Sequence, residues 1–187
     1  FSHIIYNKWN TQSKKVEDFI LSFCEDEKGN LWIGTDGAGL RYWNRRLNTY
    51  EEFKHESGNP KSISSNFVTK IVEDFKGDIW ASTWFAGINR LNKSDHTFKR
   101  YTFFNPVTRS RENNVWLVFE DTKKTLWASP TNDGCLYRFN RQKDTFELFD
   151  ANVSNVLSLT EDADGTLWAG SFTSLIKIDP QGKRHKF

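Results

Sequence analysis

The chain has 187 residues, with 26 Lys and Arg against 24 Asp and Glu, for a net charge of +2. That near balance excludes the one-sided basic field of a nucleic-acid binder, and no apolar run reaches the length of a membrane span. Aromatic residues make up 16% of the chain and Pro numbers only 4, which suits strands packed face to face on half-buried pleated surfaces.

Taken in order, residues 1–6 (F-S-H-I-I-Y) resemble Phe53-Lys54-His55 further on. They read as the closing strand of a repeat that began earlier. The chain opens without Met, already in a strand-like run, and is expected to be a segment of a longer protein. Residues 7–18 are polar and loop-like. Phe19 to Cys24 is a short apolar strand, with counterparts at 67–72, 115–119 and 156–159. Such short runs, bounded by turns, fit buried strands better than helices.

An acidic pair and a turn follow each of these strands. Gly29, Gly77 and Gly165 occupy the turn position where positive φ is needed. The third copy holds Lys124 there, so its turn is expected to be strained or differently shaped. Second strands are expected from Leu31, Ile79, Leu126 and Leu167, and third strands from Leu40, Ile88, Leu136 and Leu175. Fourth strands carry Thr49-Tyr50, Thr97-Phe98 and Thr145-Phe146. The connections at 54–66, 102–114 and 150–155 vary most, as surface loops do.

The strand tryptophans Trp32, Trp80, Trp127 and Trp168 recur at intervals of 48, 47 and 41 residues. A period of this size marks a repeat architecture. The fold class is all-β, with blades of four antiparallel strands as in a propeller. Blades are expected at 19–53, 67–101, 114–149 and 155–187, the last incomplete. Segment 1–6 would complete it, in the same molecule or in a neighbour, because a bare strand edge invites pairing. All four tryptophans are expected to be buried alike.

The shared string, seen as E-D-E-K-G-N-L-W-I-G-T-D-G-A-G-L-R-Y-W-N at Glu25 to Asn44, resembles the two-component regulator propeller repeat. The resemblance implies the extracytoplasmic sensor region of a hybrid two-component system, periplasmic and part of an inner-membrane protein. Family members build seven-bladed rings, so this chain would be part of a larger propeller, and many serve glycan-degrading bacteria. Implied partners are further blades of the parent chain, a second copy in a homodimer, and an oligosaccharide. No kinase pattern lies within the chain.

Several residues invite chemistry. The Glu-Asp pairs recur at every strand end, so a turn-bracing role is the better reading than acid–base catalysis. Asp162-Ala163-Asp164-Gly165 has too few ligands in spacing for calcium. His3, His55, His96 and His185 lack zinc spacing, and no metal or cofactor is expected. Cys24 and Cys135, two blades apart, are expected to be free thiols. Nothing supports a nucleophile, so the chain reads as non-enzymatic. The alternatives are a propeller enzyme of the streptogramin-lyase type or a carbohydrate-binding scaffold.

One loop departs from the pattern. Trp84 and Phe85 lie between second and third strands, where other copies hold Asp36-Gly37, Thr131-Asn132 and Phe172-Thr173. Flat aromatics beside hydrogen-bonding side chains are what sugar recognition uses. The candidate ligand residues are Asp36, Trp84, Phe85, Asn132, Asp133 and Phe172. Local packing is the competing role for Trp84.

Overall fold

A computed structural model describes residues 19–187. The first blade comprises β1 (Phe19–Glu25), β2 (Leu31–Asp36), β3 (Leu40–Asn44) and β4 (Thr49–Phe53). The second comprises β5 (Val68–Glu73), β6 (Ile79–Thr83), β7 (Gly87–Asn92) and β8 (Thr97–Tyr101). A small hairpin of β9 (Phe104–Asn105) and β10 (Ser110–Arg111) follows, in a connection that carries no pattern in the sequence. The third blade comprises β11 (Val115–Glu120), β12 (Leu126–Pro130), β13 (Cys135–Asn140) and β14 (Thr145–Ser154). The fourth comprises β15 (Val156–Glu161), β16 (Leu167–Ser171), β17 (Leu175–Ile178) and β18 (Arg184–Lys186). Each blade is an antiparallel sheet in sequential strand order, as the repeats predict.

First strands of successive blades lie against one another, so the hydrophobic cores form between blades. Trp32, Leu91 and Phe98 pack in one such core, Trp80, Phe139 and Phe146 in the next, and Trp127, Leu159 and Ile178 in the third. Second strands are sandwiched on both faces, and every residue of β6 and β12 is buried. Trp168 departs from the expected equal burial, being only half-buried. Its fellows are covered by side chains of the following blade, whereas Trp168 meets the ring of Phe187 at 6.3 Å.

The acidic pairs act as braces. Asp74 Oδ1 accepts the amides of Lys76 and Asp78 at 3.0 Å each, and Asp121 and Asp162 hold their own turns in the same way. The paired glutamate reaches across to the preceding blade. Glu73, Glu120 and Glu161 accept the backbone N–H of Glu27, Phe75 and Thr122 at 2.7, 2.8 and 2.7 Å. Local turn and inter-blade register are thus set by adjacent residues.

The turn at Lys124 is strained but not differently shaped. Lys124 has φ of 66°, beside 75°, 78° and 75° for its glycine counterparts, and its N–H donates to Asp121 O at 2.9 Å as theirs do. Blade 4 corrects a further expectation. β18 pairs with β17 through Ile176 and Lys186, filling the place foreseen for segment 1–6, which lies outside the described residues. The sequence suggests a fourth strand starting near Lys183, and three residues suffice to form it. Cys24 and Cys135 are both free, as expected.

Candidate ligand site

In every blade the register between first and second strands slips at one residue. The unpaired residues are Leu21, Thr69, Trp116 and Leu157. A bulge of this kind bends the strand and re-aims the extra side chain. Three of the four, Leu21, Thr69 and Trp116, line a single cavity of about 300 Å³ with Asp36, Phe67, Trp84 and Phe85. That volume falls at the lower end of small-molecule sites, roughly 300–1,000 Å³.

The loop from Thr83 to Gly87 presents the aromatic pair. Its base is closed by Thr83 Oγ1 donating to Gly87 O at 2.9 Å, and its flank by Trp84 N–H donating to Phe67 O at 3.0 Å. Gly87 is required there, since a Cβ would stand 2.1 Å from Tyr101 O. Phe85 holds φ of 70°, a left-handed conformation that a bulky residue adopts at a cost. Its ring is nonetheless 66% exposed and so recovers little packing energy.

Trp84 meets Phe85 at 5.4 Å and 76°, and Trp116 at 5.7 Å and 85°. These edge-to-face contacts set the rings nearly at right angles, forming an aromatic corner. Trp116 is 39% and Phe67 43% exposed. Local packing therefore accounts for only part of Trp84's surroundings.

Of the six residues expected from the sequence, the structure groups Asp36, Trp84 and Phe85. Phe172 lines a separate cavity of about 220 Å³ with Asn152, Ser154, Asn155, Thr173, Ser174 and Lys186. Asn132 and Asp133 lie between, both exposed and both at positive φ. Asp133 is tied to Asn155, whose Oδ1 accepts its N–H at 2.9 Å. Sequence reasoning missed Leu21, Phe67, Thr69 and Trp116. The available signal was Trp116 itself, a lone indole where the aligned copies hold Leu21, Thr69 and Leu157.

Elsewhere the titratable groups do structural work. Burial opposes ionisation of Asp74, but the Arg141 guanidinium at 2.9 Å and the Trp80 indole at 3.1 Å outweigh it and hold its carboxyl below the usual range. Burial raises Glu120. Burial, with Glu112 adding, pushes the Cys135 thiol up to about 11, so it is protonated at neutral pH. Among the described residues no group of His, Cys, Asp and Glu could hold a metal ion.

The four-stranded blades, their sequential strand order and their inter-blade cores define a β-propeller segment. Residues 15–37 and 150–173 match the family described as two component regulator propeller. No curated protein matches the sequence. A catalytically inactive virginiamycin B lyase from Staphylococcus aureus, solved with quinupristin, is similar in fold. Its TM-score is 0.71 at 16% identity, covering 94% of this chain and 57% of that one. The extracellular domain of a one component system from B. thetaiotaomicron gives a TM-score of 0.54 at 18% identity, covering 91% of this chain and 31% of that one. The chain therefore spans about half of the lyase and a third of the sensor domain. No helix among the described residues is long and apolar enough to cross a membrane.

Proposed function

We propose that the chain is part of a non-enzymatic, extracytoplasmic sensor of a two-component system, binding a glycan fragment at the corner formed by Trp84, Phe85 and Trp116. One observation carries the reading: Phe85 keeps a bulky ring in a left-handed loop position and leaves it 66% exposed. Strain of this sort persists where function repays it. Flat rings stack on the apolar face of a sugar, while Asp36 supplies a hydrogen-bond acceptor. The family match supports a sensor, and the Staphylococcus aureus lyase supports the fold alone. Calorimetry of the whole protein with a panel of neutral and charged oligosaccharides tests the reading. A Trp84→Ala, Trp116→Ala double variant should lose the binding; unchanged affinity in that variant removes the site.

A further inference from the structure

The cavity at the aromatic corner has charge of one sign only. Among the described residues Asp36 is the single ionisable one in its lining, and it is exposed at the end of β2. Among the described residues its carboxylate has no cationic or hydrogen-bonding partner. The rings beside it add to the same field, because the face of an indole or phenyl ring is its negative side and attracts cations. Carboxylate and ring faces therefore favour positive charge together, and no lining residue complements an anion. The separate cavity at Phe172 has the opposite balance, with Lys186 as its one charged residue among the described ones.

Building on the reading that this corner binds a ligand, we infer that it selects one bearing a protonated amine beside a flat apolar face, and that Asp36 sets this preference. An amine seated against Asp36 forms a charge-assisted hydrogen bond. The flat face of the same molecule lies on Trp84 or Trp116. Geometry supports the pairing, since both elements line a single cavity of about 300 Å³, enough for a compact disaccharide unit.

Three disaccharides that differ only at nitrogen provide the test. They are the chitosan disaccharide with protonated amines, its neutral N-acetylated form, and its anionic N-sulfated form. Calorimetry with the full chain should show the amine binding about five- to tenfold tighter than the acetylated form, with the N-sulfated form weakest. Raising the salt concentration should shrink the difference by screening. In Asp36→Asn the ratio of amine to acetylated affinities should fall to about twofold or less, whatever the absolute affinities become. A thermal melt checks that this exposed substitution leaves the fold intact. Equal affinities for the three, or an unchanged preference in Asp36→Asn, overturn the charge selection and leave the glycan reading standing. Tryptamine, an amine on a flat ring without a sugar, separates the two claims. Binding of tryptamine alone keeps the charge selection and overturns the glycan reading; no binding by any of the four overturns both.

Discussion

The indole N–H of Trp80 donates to Asp74 Oδ2 at 3.1 Å, and the bond recurs at 2.9 Å between Trp127 and Asp121 and at 2.7 Å between Trp168 and Asp162. In blades 2, 3 and 4 the core is thereby fastened to its own turn. Blade 1 departs: Asn30 Nδ2 occupies Asp26 Oδ2 at 3.3 Å, and the Trp32 indole nitrogen has no partner among the described residues. Truncating Trp127 to Ala should cost about 3–5 kcal/mol, as for other large core aromatics. The same change at half-buried Trp168 should cost less. Chemical denaturation of both variants checks the order, and equal losses would contradict it.

Asp74 predicts a pH effect. Its folded carboxyl lies below the ordinary value of 3.8. A depressed carboxyl contributes stability that is present above the unfolded value and lost as pH falls through the folded one. Raised Glu120 has the opposite sign, its contribution fading as pH rises through its folded value. The Asp74 contribution should therefore begin to decline as pH falls below 3.8 and be gone only beneath the lower folded value. Asp74→Asn should be less stable than the parent at neutral pH and show a shallower loss on acidification. Parallel stability–pH curves for the two proteins would contradict the assignment.

Lys124 stands where its three counterparts are glycine, at φ of 66°. Lys124→Gly should raise stability by up to about 1 kcal/mol by removing the left-handed strain. A lower melting temperature would show that the Lys124 side chain contributes more than the strain costs.

Phe85 predicts a split between stability and binding. Phe85→Gly relieves the same kind of strain and removes a ring that is 66% exposed. The melting temperature should hold or rise, by up to about 1 kcal/mol in stability, while glycan affinity falls. Loss of stability would mean that the ring is structural.

Much of the fold is legible in the sequence because its rules are local. Asp, Gly and Trp recur at fixed offsets, and each brace, turn and core contact follows from those offsets. The site is legible where one copy departs from the others, as Trp84 and Phe85 do. Trp116 is not, because its aim depends on a bulge that strand alternation does not reveal. Phe172 lines a different cavity for a related reason: equivalent loops share a face, but Phe172 and the Trp84 loop do not share a pocket. The Lys124 turn keeps its shape because Asp121 dictates the backbone more strongly than the residue type resists it.

The most direct test of the account follows the eight tryptophan indole N–H resonances by NMR while the glycan panel is titrated into the protein. Trp84 and Trp116 face the cavity at Asp36, whereas Trp80 and Trp127 are buried and bonded to aspartates. A ligand at the proposed site should shift the Trp84 and Trp116 signals together, in a saturable way, and leave Trp80 and Trp127 in place. Saturable binding that moves other resonances while Trp84 and Trp116 stay still would contradict the account.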